Sequence, residues 1–322
     1  MIIDIHTHFW GKGYIPRAFH MATAQDWAAR EPGRDPLMIL PKIEEGLVDP
    51  DGSLFIRNMD QAGVDTSFIM GADFGVYWGG EEPEVPLEEQ LRAFAELQEK
   101  FPGRLYAFVM IDPRRANAVD LFSRAIREWG LKGCGEFGLK NLSVADDEAQ
   151  PLIRKCADLD VPVLIHTRAT GGTDSGALSW GDLTSKNINH PDQVEKILER
   201  YPGLKVILSH VGYPFWWEKA AHIAGKYPNC YLDIANWDRD MKEPESLIPK
   251  LACMRDMVGA DHICFGSDQS SGKRHSGEQS VMARWLGFLR ELPEKARAYG
   301  YVFSQDEMDL ILGGSARKLF NL

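Results

Sequence analysis

Along the 322 residues the hydrophobic pattern repeats one theme: a short run rich in β-branched and aromatic residues, then a longer amphipathic stretch. Runs at 2–6 (IIDIH), 64–71, 104–112, 131–137, 162–167 (PVLIHT), 205–211, 230–235 and 263–267 (ICFGS) predict eight strands. Between them, apolar positions recur at helical spacing over about 53–62, 87–101, 116–129, 148–159, 191–201, 214–227, 244–257 and 276–291. Strand–helix alternation of this kind implies a parallel sheet, and eight repeats predict an α/β chain closed into one (β/α)8 TIM barrel over 1–322. No GxGxxG follows the first strand, so a dinucleotide fold has no support. Segments 9–50 and 168–190 are too long for plain connections and are expected to be lid loops after strands 1 and 5. The tail, SQDEMDLILGGSARKLFNL, reads as closing helices, with Ser304 as a cap and Glu307 three residues later.

Period-two alternation then places chemistry on faces. It puts His6 and His8 on one side of strand 1 with Asp4 below them, and Ile3 and Ile5 on the other, towards the helices. Two imidazoles one pleat apart can chelate one ion, and neutral imidazole suits Zn, Fe, Mn or Ni. His166 ends strand 5 above Leu164, and His210 ends strand 6 above Leu208 and Val206. Glu136 ends strand 4 and Asp268 follows strand 8. A histidine at one strand end is ordinarily a hydrogen-bonded core residue. Five strands delivering such side chains to one rim of one barrel read instead as a metal site. His190, His222 and His262 read as structural, and His20 and His275 as residues of rim segments.

Composition narrows the surroundings of that site. The formal net charge of -11 and a pI near 5.3 argue against nucleic acid or an anionic membrane as partner. No apolar run has the length of a membrane span, and MIIDIHTHFW has no signal-peptide pattern, so a cytoplasmic protein is expected. The cysteines, Cys134, Cys156, Cys230, Cys253 and Cys264, form no CxxC pair and read as free thiols.

At IDIHTH (3–8), PVLIHT (162–167), VILSHVG (206–212), FGSD (265–268) and ILGGSARKLF (311–320), the chain resembles the amidohydrolase superfamily. The resemblance is to its amidohydrolase-2 branch, which includes aminocarboxymuconate-semialdehyde decarboxylase. It implies that His6, His8, His166 and Asp268 are metal ligands and that His210 polarises substrate or moves a proton. GEFGLK at 135–140 is more similar to the strand-4 glutamate of TatD-like enzymes. That likeness implies a bridging Glu136 and a second ion on His166 and His210. One or two divalent ions are therefore expected, zinc first, with manganese, iron or cobalt compatible.

Two chemistries fit this set. In hydrolysis of a small cyclic or aromatic carboxylated lactone, amide or ester, a metal-activated water attacks, Asp268 moves the proton and His210 stabilises the oxyanion. In non-oxidative decarboxylation of an aromatic or unsaturated acid, the metal binds substrate oxygens and an acid protonates the carbon that loses CO2. Glu136 tilts the residue-level reading towards hydrolysis. An Fe or Mn redox pair and a non-catalytic barrel are minor alternatives. Seven tryptophans (Trp10, Trp27, Trp78, Trp180, Trp216, Trp217, Trp237) follow strands, and Trp10 and Trp237 are expected to line the substrate pocket. Arg168 and Lys140 are expected to meet the charge of a small carboxylated substrate. Lys273 and Arg274 read as solvated charges. A homodimer or related oligomer is expected.

Overall fold

A computed structural model describes residues 1–30, 33–77, 81–169, 184–273 and 276–322. Its strands are β1 (Ile3–His8), β2 (Thr66–Met70), β3 (Leu105–Ala107), β4 (Cys134–Phe137), β5 (Val163–His166), β6 (Val206–Ser209), β7 (Cys230–Asp233), β8 (Ile263–Cys264) and β9 (Gln269–Ser270). The helices are α1 (Arg17–Arg30), α2 (Pro36–Leu47), α3 (Ser53–Ala62), α4 (Phe74–Tyr77), α5 (Leu87–Lys100), α6 (Ala118–Arg127) and α7 (Gln150–Asp158). They continue as α8 (Pro191–Arg200), α9 (Trp217–Lys226), α10 (Pro244–Val258), α11 (Val281–Arg297), α12 (Gln305–Asp309) and α13 (Ser315–Phe320).

All pairings are parallel, in two arcs ordered β3-β2-β1-β9 and β4-β5-β6-β7-β8. The Val109–Cys134 bridge joins the arcs on one side, and the Ile5 N–H to Phe265 carbonyl bond joins them on the other, which closes the barrel. The predicted strand 8 is split: residues 265–268 leave the ladder between β8 and β9, and Asp268 has φ 56. Seven of the eight predicted helices match to within three residues at each end, and the eighth, expected over 276–291, runs Val281–Arg297 as α11 behind the Ser280 cap. Ser304 and Glu307 make a reciprocal capping box at α12.

The interior is a two-layer stack. Its lower layer is apolar: Ile3, Ile5, Phe68, Met70, Phe108, Leu164, Ile207, Tyr231 and Cys264, sealed at the N-terminal end by Ala316, Leu319 and Phe320. The Phe320 ring lies 4.2 Å from that of Phe68. Ile3 and Ile5 thus face the barrel axis, contrary to the alternation read from the sequence. The reason is a bulge. From Asp4 to Thr7, β1 advances three residues while β2 advances two, from Ser67 to Ile69. Adjacent residues Ile5 and His6 consequently both point inward.

Strand 6 needs a second correction. Val206 and Leu208 pack outward with the helices, and Ile207 and Ser209 face the axis. His210 lies past the strand end in a turn, and its left-handed backbone (φ 62) returns the ring to the interior. Segment 9–50 is a helical pair and not a loop: α1 and α2 pack on each other around Ala24, Ile39, Leu40 and Ile43, with Trp27 alongside. Of 168–190, residues 170–183 lie outside the described residues, with Trp180; so do Trp78, Arg274 and His275.

Candidate metal centre

Above the apolar layer, the strand ends converge on Glu136. Its Oε2 faces one group of donors, with His6 Nε2 at 3.7 Å. On that side His6 Nε2 and His8 Nε2 are 3.4 Å apart, and Asp268 Oδ1 lies 3.5 and 3.2 Å from them. Glu136 Oε1 faces a second group. It accepts from His166 Nδ1 at 2.8 Å, His210 Nε2 at 3.0 Å and Ser209 Oγ at 2.7 Å. An irregular register between Cys134 and Phe137 accompanies the inward turn of Glu136, out of phase with Cys134.

The spacing fits a cation. Ligand atoms at tetrahedral corners about 2.0–2.2 Å from one ion lie roughly 3.4 Å apart, which is the separation of the His6, His8 and Asp268 donors. His6 is fully buried, and its Nδ1–H donates to Asp233 Oδ2 at 2.6 Å. That bond orients the ring and leaves the Nε2 lone pair aimed at His8, Glu136 and Asp268. Burial disfavours a charge on His6, but the carboxylates of Glu136, Asp233 and Asp268 outweigh it and raise its pKa to about 10. A field that holds a proton this firmly is also a field for a metal ion. Burial opposes ionisation of Glu136 as well, yet His166, His6 and His210 carry its pKa well below the usual carboxylate range. Asp268 is likewise lowered against burial, by its hydrogen bond with His8 and by His6, His8 and His210. His210 moves the other way: burial, dominant over its neighbours, lowers its pKa.

Three supporting residues escaped the sequence reading. Asp233 shares the inward face of β7 with Tyr231, and Ser209 that of β6 with Ile207, so correct strand phases would have found both. Asn236 lies in the turn after β7 with φ 69 and donates to His210 Nδ1 at 2.9 Å and Asp268 Oδ2 at 2.8 Å. Gly266 is required beside them, since a Cβ there would come within 2.0 Å of Asp233 Oδ1. Asp4 is not in the donor cluster. Its Oδ1 accepts the backbone N–H groups of His6 and Ser267, and burial raises its pKa to about 7.

The residues assigned to substrate divide. Trp10 stacks on His8, with centroids 5.8 Å apart and planes 2° from parallel. Trp237 has no exposed surface, and its indole N–H donates to the His210 carbonyl at 2.9 Å. It supports His210 from behind instead of lining a pocket. Arg168 is half-buried, and its shielded Nε has no hydrogen-bond partner among the described residues. Burial, then the like charge of Arg239, lowers its pKa. Lys140 is half-buried in the turn after β4. Among the described residues, no helix is long and apolar enough to cross a membrane.

Residues 3–322 match the family model described as amidohydrolase. No curated protein matches the chain. Among solved structures, 5-carboxyvanillate decarboxylase from Sphingomonas paucimobilis superposes with a TM-score of 0.65 at 16% identity, covering 100% of this chain and 99% of that one. A 2,6-dihydroxybenzoate decarboxylase gives 0.66 at 17%, covering 100% and 99%. A dihydroxybenzoic acid decarboxylase from Polaromonas sp. JS666, solved with bound manganese and the inhibitor 2-nitroresorcinol, gives 0.59 at 19%, covering 100% and 97%.

Proposed function

Since the chain belongs to the amidohydrolase family, we propose that it is a metal-dependent decarboxylase of an aromatic or unsaturated carboxylic acid. The observation that carries this reading is the donor cluster at coordination spacing with His210 at its edge, its Nε2 3.0 Å from Glu136 Oε1. The full-length superposition on three decarboxylases favours carbon–carbon cleavage over hydrolysis.

In this proposal His6, His8 and Asp268 hold one divalent ion, with Glu136 and His166 completing its surroundings. Manganese, present in the Polaromonas structure, joins zinc as a first candidate. The ion would supply Lewis-acid polarisation of substrate oxygens. Trp10 offers an aromatic wall beside His8. Arg168, whose buried Nε has no hydrogen-bond partner among the described residues, offers a guanidinium to an anionic group. The bond from the substrate carbon to its carboxyl group then breaks with the electron pair left on carbon. CO2 departs, and the carbon takes a proton from the His210 side of the site, with Asp268 assisting its movement.

One observation favours a second reading, hydrolysis over two ions: the two oxygens of Glu136 face two separate donor groups. Metal analysis of the purified chain, together with CO2 release from a panel of hydroxylated benzoic acids and hydrolysis of aryl lactones and esters, separates them. About one ion per chain and CO2 release are expected. Two ions with hydrolysis and no CO2 would move the assignment to the second reading. A metal-free chain without turnover would remove both.

A further inference from the structure

The hydrogen-bond polarity around His210 can be followed inward from solvent. Arg239, on the exposed turn after β7, donates its Nε–H to Asn236 Oδ1 at 2.8 Å. An arginine Nε can only donate, so the carbonyl of the Asn236 amide must face it. The Asn236 NH2 then faces inward and has two protons to give. One goes to Asp268 Oδ2 at 2.8 Å and the other to His210 Nδ1 at 2.9 Å. Turning the amide over would set its carbonyl against the Asp268 carboxylate and its NH2 against the Arg239 donor. His210 Nδ1 therefore accepts. The Ala235 carbonyl, at 3.4 Å from the same nitrogen, is the poorer partner, and a proton there would collide with the Asn236 NH2. On the other side of the ring, Nε2 lies 3.0 Å from Glu136 Oε1, an acceptor. The one proton of a neutral imidazole belongs there.

We propose that Arg239 and Asn236 form a relay that fixes His210 as the tautomer protonated on Nε2, so that His210 meets the site as a proton donor and not as a metal ligand. Asn236 and Arg239 are thus positioning residues. The same amide also holds Asp268, so one side chain aligns the donor cluster and the acid together. Asn236 suits the task because its backbone is left-handed there, a region Asn and Asp enter more readily than other side-chain-bearing residues. The relay rests on the single-ion reading above, since a second ion on His210 would need Nε2 without its proton.

The tautomer can be read directly. The full chain is labelled with nitrogen-15 histidine and recorded metal-free and loaded with zinc, a diamagnetic ion; His210 is assigned by the signals lost in His210→Gln. Nδ1 is expected at an unprotonated shift and Nε2 at a protonated one, in both states. Asn236→Asp exchanges the inward donor for an acceptor and should move the proton to Nδ1. Arg239→Met, at an exposed position, removes one of the two contacts that orient the amide and should move both nitrogen shifts part of the way towards averaged values, with Asp268 still holding the NH2. An unprotonated Nε2 in the zinc form would overturn the proposal, as would an unchanged tautomer in folded Asn236→Asp. If Asn236→Asp does not fold, the wild-type and Arg239→Met spectra decide. These spectra stand whether or not any acid is decarboxylated, so the relay and the proposed activity fail separately.

Discussion

The two layers of the barrel interior come from the same strands, two residues apart, and do opposite things. Leu164, Ile207 and Tyr231 fill the lower layer, while His166, Ser209 and Asp233 stand one pleat above them. The lower layer needs no partner but its own apolar neighbours and the Phe320 plug. The upper layer holds His6, Asp233 and Ser209 with no exposure, a cost that only mutual hydrogen bonds and a cation can offset. The contrast teaches that a closed parallel barrel supplies a dry floor on which charges can be fixed at close spacing.

The contrast can be broken at the upper layer with the largest effect. Asp268→Asn keeps the shape but removes the charge that faces His6 and His8. Turnover should fall by about 10²- to 10⁴-fold, bound metal should fall with it, and the urea midpoint of chelator-treated protein should fall too, because folding favours the ionised Asp268. A variant that keeps both metal and rate would show that Asp268 is structural. The reverse cut is Leu164→Ala, below His166. Stability should drop by about 2–5 kcal/mol in urea unfolding, with the metal content per folded chain unchanged. Loss of metal at full stability would mean that the layers are not separable.

The third test uses pH. The folded-state pKa of His6 is raised from 6.5 to about 10, so the folded chain binds that proton more tightly than the unfolded one. In chelator-treated protein its stabilising contribution is complete below pH 6.5 and is lost as pH rises through about 10. Because a metal ion replaces the proton, affinity for zinc should rise across the same window. Unfolding midpoints against pH, with chelator and with zinc, check both signs, and metal-free stability that rises over this window would contradict the assignment. The smallest effect is expected at the pocket edge. Arg168→Met should raise KM by about 10- to 100-fold, the loss of one charge-assisted hydrogen-bonding group, with stability unchanged; an unchanged KM would take Arg168 out of substrate binding.

Much of this was legible in one dimension. The strand and helix repeat predicts the barrel because the periods differ, two against 3.6. His6, His8, His166, His210, Glu136 and Asp268 are visible as polar residues where apolar runs stop, and the structure brings all of them to one cluster. What failed did so where local phase was overridden. The β1 bulge reverses Ile3 and Ile5, the turn after β6 redirects His210, and Trp237 is buried by packing that its position after a strand does not reveal.

Alone, the sequence determined the fold class, the rim on which the chemistry sits and the residue types that meet there, because hydrophobic period and strand ends are local properties. Only the tertiary structure decided which atom of each residue faces which. Glu136 turns one oxygen to His6 and the other to His166 and His210, Asp233 accepts the hydrogen bond of His6 Nδ1–H, and Asn236 lies between His210 and Asp268. Those relations depend on a bulge, an irregular strand and three left-handed residues, His210, Asn236 and Asp268. They are held by contacts between strands distant in the chain, and no stretch of sequence contains both partners.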